Sequence, residues 1–221
     1  MNPGWRPATE IYADWVREGL RPSSHLLDIG CGRGGLVEQL EHPFDQIVGI
    51  DPDWLSLHEH RLVIPRVAAL SDYLPFTADS FDMLFASWVL EHLENPERTF
   101  MAVGRALRPG GVFVFITPNG RHPLTWLNNG LGRLGQLQGK LVERFYDRTA
   151  DDAFPTYYRA NSEVALEKLC QTAGLQLEKL QPIPDPTYLA FNRPLFWLMC
   201  QFETRLPAAR KLHLVGLARR P

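Results

Sequence analysis

Ten residues, Leu26-Leu27-Asp28-Ile29-Gly30-Cys31-Gly32-Arg33-Gly34-Gly35, constrain the fold of this chain more than any others: an apolar run ends in a carboxylate, then four glycines fall within six positions. The apolar run reads as a buried strand. The glycines let the backbone turn sharply and approach a ligand with no Cβ in between. A helix start expected at Leu36-Val37-Glu38 would aim free backbone N–H groups at the same point. An ordinary strand-to-helix turn is the bland alternative, and it seldom needs so many glycines.

Gly30-x-Gly32-x-x-Gly35 also satisfies the dinucleotide fingerprint, and Asp51 lies near the roughly 20-residue offset where that fingerprint expects an acid for the ribose. NAD and S-adenosylmethionine therefore compete for the loop. Asp28 separates them, because a carboxylate beside a pyrophosphate is repelled and one beside a cation is attracted. S-adenosylmethionine carries an ammonium and a sulfonium.

Asp28-x-Gly30-x-Gly32-x-Gly34 resembles the first motif of class I S-adenosylmethionine-dependent methyltransferases, and the resemblance continues downstream. Ile47-Val48-Gly49-Ile50-Asp51 is similar to the family's second strand, and Leu74-Pro75-Phe76 with Ser80-Phe81-Asp82-Met83-Leu84-Phe85-Ala86 to the approach and entry of the fourth. Trp88-Val89-Leu90-Glu91-His92-Leu93 resembles the segment after it, and Arg105-Ala106-Leu107-Arg108-Pro109-Gly110-Gly111 the turn before the fifth strand. In this order over residues 26 to 117 the motifs are specific.

The resemblance implies that Asp28 and the loop Gly30, Cys31, Gly32 and Gly34 hold the methionine end, that Asp51 with Pro52 takes the ribose, and that Ser87 closes the fourth strand beside the ligand. The sequence departs from the family at the adenine pocket: the position four residues before Leu-Pro-Phe, often an acid, is Leu70, and Asp72 sits two residues nearer. Adenine recognition rests either on backbone groups of Leu70 and Ser71 or on Asp72, and the sequence leaves both open.

Composition bounds the partners. The chain has 221 residues, 45% of them hydrophobic and 22% charged, enough for one sizeable core in a single domain. A net charge of −2 gives no general attraction to nucleic acid. The fifth strand ends Thr117-Pro118-Asn119-Gly120, without the Asn/Asp-Pro-Pro-aromatic grip of amino-directed nucleic-acid methyltransferases. A small-molecule or lipophilic acceptor is therefore expected, with an O, C or N nucleophile. Three cysteines without paired spacing suggest a reducing compartment, Cys31 reads as a small loop residue, and no Cys/His cluster has metal-ligand spacing. Residues 1 to 7 carry no signal-peptide pattern, and Leu195 to Cys200 fall far short of the roughly 20 residues of a membrane span, so a cytoplasmic protein is expected.

Short apolar runs at His25–Ile29, Gln46–Ile50, Arg66–Ala69, Phe81–Ala86, Gly111–Thr117, Leu175–Leu180 and near His213–Ala218 alternate with helical patterns. They predict an α/β fold with a doubly wound, mainly parallel seven-stranded sheet whose last strand is antiparallel, as in the Rossmann-like methyltransferase fold. A helix is expected over Asn95–Leu107, stopped by Pro109-Gly110-Gly111, and another from Asn161 or Ser162 to Ala173. Residues 118–158 break the rhythm as an insertion, either a surface flap or a lid. Its apolar Leu127, Leu131, Leu134, Leu141 and Phe145 recur near helical spacing, weakened by Gly130, Gly132 and Gly135. Residues 187–206 are crowded with apolar side chains; a core or dimer helix after Pro194 is expected, with a greasy pocket or a membrane contact as alternatives. Monomer and homodimer both remain open.

Methyl transfer needs a nucleophile held against the methyl group with water excluded. His92, after the fourth strand, is the first candidate for a base, with a structural histidine as the bland alternative. His122, Tyr157 and Tyr158 border the insertion as candidates for the acceptor wall; Tyr12 and Trp15 lie on an amphipathic segment that either closes over the cofactor or merely packs on the domain. A non-catalytic module holding a partner through the apolar C-terminal segment is the third reading, after the methyltransferase and the oxidoreductase.

Overall fold

A computed structural model of the chain describes residues 5–132, 154–188 and 191–221. Seven strands, β1 (Leu26–Ile29), β2 (Ile47–Asp51), β3 (Arg66–Ala68), β4 (Phe81–Ser87), β5 (Leu107–Pro118), β6 (Gln176–Ile183) and β7 (His213–Arg219), form one sheet in the order β3-β2-β1-β4-β5-β7-β6. Strands β1 to β5 pair in parallel, and β7 runs antiparallel to both β5 and β6. The strand order reverses between β1 and β4, which opens a crevice at their carboxyl ends.

Alternation along each strand sends side chains into two cores. Leu27, Ile29, Leu84, Ala86, Phe113, Phe115 and Leu214 face α3 (Pro96–Ala106) and α5 (Glu163–Thr172), where Phe100 of α3 stands edge-on to Phe113 at 5.7 Å. Leu26, Met83, Phe85, Val114, Ile116 and Val215 face the other way, under Ala8, Tyr12 and Val16 of α1 (Ala8–Gly19). Each fully buried large side chain contributes about 1.5–3 kcal/mol, so these two layers hold most of the fold's stability. The same alternation places Asp28, Ser87 and His213 on the α1 face and Thr117 on the α3/α5 face.

The sequence and the structure part at four places. The helix expected after the glycine loop is a single 3-10 turn, Leu36–Gln39: Leu40 leaves it extended, and Pro43 further on bars a longer helix. Helix α3 stops at Ala106 rather than at the glycines, and Pro109-Gly110-Gly111 lies within β5, where the Gly110 amide donates to the Arg220 carbonyl at 2.8 Å. Helix α4 (Pro123–Gly132) runs on to Gly132 despite the glycines that should weaken it; residues 133–153, with Leu134, Gly135, Leu141 and Phe145, lie outside the described residues. Helix α6 (Arg193–Arg205) buries only Met199 and Glu203, leaving Trp197 and Leu198 exposed, so it is a surface helix and not a core one. Ser162 caps α5 by accepting the Ala165 amide, while Asn161 turns inward. No described helix is long and apolar enough to cross a membrane.

Candidate active site

The glycine loop leaves β1 and folds back on β2. The amides of Gly30 and Cys31 both donate to the Ile50 carbonyl, and the Gly32 amide donates to Asp51 Oδ2 at 2.9 Å. Asp51 Oδ1 accepts the Asp53 amide at 2.8 Å, and Asp53 in turn caps the short α2 (Trp54–His58). Gly30 sits at φ +72°, and a Cβ there would meet Val89 Cγ2 at 2.4 Å, so the loop is wedged against the chain leaving β4. A Cβ on Gly32 would meet nothing within 4 Å, which leaves the loop's outer surface open to a ligand.

Asp28 is buried with no cation beside it among the described residues. Burial, with the charge of Asp51 adding to it, pushes its carboxyl up to about 7. Its neighbour on the same face is Tyr12, whose hydroxyl burial and the Asp28 charge push far up and which makes no well-formed hydrogen bond; Ser87 is the nearest polar partner. Buried polar groups are normally satisfied, so a carboxylate and a phenol left in this condition beside an open glycine loop fit a ligand carrying both a cation and polar groups. The residues present therefore match S-adenosylmethionine.

The remaining expected residues fall around this centre. The Cys31 side chain packs on β2, where a Cβ on Gly49 would meet its Sγ at 2.7 Å, and burial pushes the thiol far up; its loop position, not its sulfur, faces the crevice. Pro52 is exposed beyond Asp51. Leu70 is exposed and its carbonyl accepts the Tyr73 amide, the Ser71 hydroxyl meets that of Thr99 at 3.2 Å, and Asp72 is half-buried. Trp88 follows Ser87 at φ +58°, an unusual backbone for so bulky a residue, held by its amide donating to Ile116.

His92 lies on the other side of the rim. Its Nδ1 is 3.0 Å from the Pro155 carbonyl, which can only accept, so the proton is on Nδ1 and Nε2 carries the lone pair. Burial lowers its pKa despite these carbonyl contacts. Its ring stands edge-on to Phe154, and the amides of Tyr157 and Tyr158 donate to the Glu91 carbonyl, so the chain returning from the insertion is stitched to the segment after β4. His122 is fully buried as a strut: Nδ1 accepts the Leu124 amide and Nε2 lies 3.1 Å from Glu203 Oε1 of α6, at ion-pair distance without good alignment.

Two groups at this edge escaped the sequence. Glu91, expected only as a neighbour of His92, is buried with its carboxyl pushed up to about 7 by burial, against a 2.9 Å hydrogen bond from Thr117. Asn161 Nδ2 donates to the Thr117 hydroxyl at 2.6 Å and completes that network. His213 and Asp185 pair at the start of β7. No local pattern announces either, because each pairing depends on strand register.

A cavity of about 650 Å³ opens at the opposite, amino-terminal edge of the sheet, where Arg108 pairs with Asp82 and Arg219 with Glu178, both at 2.6 Å.

A parallel sheet with a glycine loop and two acids at its switch point defines a nucleotide-cofactor enzyme of the α/β type. Comparison with known proteins fixes the kind: residues 27–115 match the family model described as "Methyltransferase domain". The ubiquinone biosynthesis O-methyltransferase of Azoarcus sp. (strain BH72) is 31% identical over 195 residues, covering 80% of this chain and 78% of that protein. The enzyme of the same name from Nitrosococcus oceani is 29% identical over 163 residues, covering 70% of this chain and 64% of its own length. The crystal structure of an S-adenosylmethionine dependent methyltransferase from Mesorhizobium loti shares the fold, with a TM-score of 0.60 at 21% identity over 94% of this chain and 98% of that one. The chain belongs to the class I S-adenosylmethionine-dependent methyltransferases. Membership separates it from the dinucleotide oxidoreductases whose fingerprint its loop also satisfies.

Proposed function

We propose that this enzyme transfers the methyl group of S-adenosylmethionine to a hydroxyl oxygen of a small, lipophilic acceptor. The observation that carries the cofactor half is Asp28: a buried carboxyl near neutrality beside an open glycine loop and the buried Tyr12 hydroxyl. Asp28 with the loop at Gly30, Cys31, Gly32 and Gly34 would hold the methionine end, and Asp51 beside Pro52 would accept the ribose hydroxyls on its remaining lone pairs. Asp72, which makes no hydrogen bond or ion pair with any described residue, would take the adenine amino group next to Leu70 and Ser71. The cofactor supplies an electrophilic methyl on a sulfonium; the chain's part is to fix both reactants and exclude water.

The acceptor half rests on the two relatives of ubiquinone biosynthesis, both O-methyltransferases by name, and on apolar side chains left exposed on α4 and α6: Trp126, Leu127, Trp197 and Leu198. A lipophilic acceptor gives such side chains something to bury.

Thermal unfolding with S-adenosylmethionine, S-adenosylhomocysteine or NAD, followed by mass spectrometry of an alkyl-substituted catechol incubated with enzyme and S-adenosylmethionine, tests both halves. Stabilisation by the sulfur ligands alone and a gain of one methyl on oxygen are expected. Stabilisation by NAD alone overturns the cofactor, and transfer to carbon overturns the acceptor.

A further inference from the structure

The carboxyl edge carries a titratable pair that the cofactor assignment leaves unused. Because β7 is antiparallel, its first residue, His213, pairs with Pro118 of β5 and Ile183 of β6 and stands at the same edge as the glycine loop. Its Nε2 lies 3.1 Å from Asp185 Oδ2. Burial would raise the Asp185 carboxyl, but hydrogen bonds from His213 and Thr187 outweigh it and hold the group below the usual carboxylate range. An ionised carboxylate only accepts, so Nε2 carries a proton. Nδ1 is buried and has no hydrogen-bond partner.

The pair is not remote from the cofactor residues. His213 shares the α1 face with Asp28 and Ser87, and its ring stands edge-on to Trp88, the residue after Ser87, at 5.0 Å. Tyr12 supplies a second buried polar atom on the same face, beside Ser87. The Trp5 indole N–H donates to the Pro184 carbonyl at 2.8 Å, so the segment leading into α1 is tied down beside Asp185. A histidine oriented by a carboxylate, with its other nitrogen unpaired at the carboxyl edge of the sheet, has the arrangement a general base needs.

We infer that His213 is the general base for the acceptor hydroxyl and that Asp185 is its positioning residue. This rests on the O-methyl transfer reading above. The acceptor O–H proton passes to Nδ1, giving an imidazolium held by Asp185. The oxygen lone pair forms the new O–CH3 bond as the S–CH3 bond breaks, its electron pair staying on sulfur to leave a neutral thioether. The imidazolium then returns its proton to solvent. His92, held by Pro155 and Phe154 on the opposite side of the rim, takes no part in this step.

The test combines variants with an imidazole readout. With an alkyl-substituted catechol as acceptor, His213→Gln is expected to lower turnover by about 100-fold or more, as loss of a general base does. S-adenosylhomocysteine affinity should stay within about twofold, which also shows that the variant folds. Asp185→Asn should move the His213 proton from Nε2 in the nitrogen NMR spectrum, and His92→Gln should leave turnover near that of the unaltered enzyme. Near-normal turnover in His213→Gln, or an unmoved proton in Asp185→Asn, overturns the assignment. Should the unaltered enzyme bind S-adenosylhomocysteine but methylate no catechol, the O-methyl reading fails, and the dyad is judged by adding catechol to the S-adenosylhomocysteine complex. A change at His213 Nδ1 supports it and an unchanged signal overturns it.

Discussion

The Asp51 carboxylate accepts the Gly32 amide through one oxygen and the Asp53 amide through the other, at 2.9 and 2.8 Å, so a single side chain fixes both the glycine loop and the start of α2. Asp51→Ala frees both amides and removes the proposed ribose contact. The variant is expected to fold, because the strands on either side keep their pairing, and to bind S-adenosylhomocysteine about tenfold or more weakly, a loss of at least about 1.4 kcal/mol by calorimetry. Asp51→Asn, which keeps one acceptor for Gly32, should fall between the two. Equal affinity in all three proteins would remove Asp51 from the ligand site.

Asp28 and Glu91 both titrate near 7 in the folded protein because they are buried. A carboxyl whose folded pKa lies above its unfolded value keeps a proton that the unfolded chain has lost, so its contribution to stability declines as pH rises from about 4 to about 7. The slope is at most about 1.4 kcal/mol per pH unit for each group. His92, whose folded pKa is lowered, contributes the opposite slope, so the comparison must be differential. The stability of the unaltered protein minus that of Asp28→Asn, from urea unfolding without ligand, should decrease across that interval and level off above it. A difference that grows with pH would show that Asp28 is not held protonated.

Gly216 of β7 lies opposite Phe115 of β5, and a Cβ on it would meet the ring at 2.1 Å. Gly216→Ala should destabilise the protein by about 1–3 kcal/mol through overpacking. Phe115→Leu on that background should recover part of the loss, although Phe115→Leu alone is destabilising. Additive losses would mean that the two side chains do not share this space.

Helix α6 sorts its apolar residues by contact rather than by type. Trp197 is 64% exposed and Met199 is 5% exposed, so Trp197→Ser should change unfolding free energy by less than about 0.5 kcal/mol and Met199→Ala should cost about 2–5 kcal/mol. Reversed magnitudes would restore the core helix that the composition of residues 187–206 suggests.

The half of the site built from consecutive residues was legible before the fold was known. Asp28, the glycine loop and Asp51 announce themselves because a strand end, a tight turn and an acid leave local chemical marks. Strand positions followed for the same reason, since buried parallel strands are short apolar runs between turn residues. The 3-10 turn at Leu36–Gln39 was misjudged because a good helical start says nothing of the His42-Pro43 stop beyond it. The surface placement of α6 was hidden because composition does not distinguish packing against a core from packing against solvent. Glu91 with Thr117, and Asp185 with His213, were invisible because each pair is made by tertiary contact across 26 and 28 positions of sequence.

The position of β7 between β5 and β6 also sets a timetable. Among the described residues strand β6 has no neighbour in the sheet except β7, which is made after it, so as the chain emerges from the ribosome residues 176–183 wait until residues 213–219 arrive to be laid between them and β5. Asp185 and His213 meet only when it is complete, so the base proposed above is the last part of the carboxyl edge to be assembled.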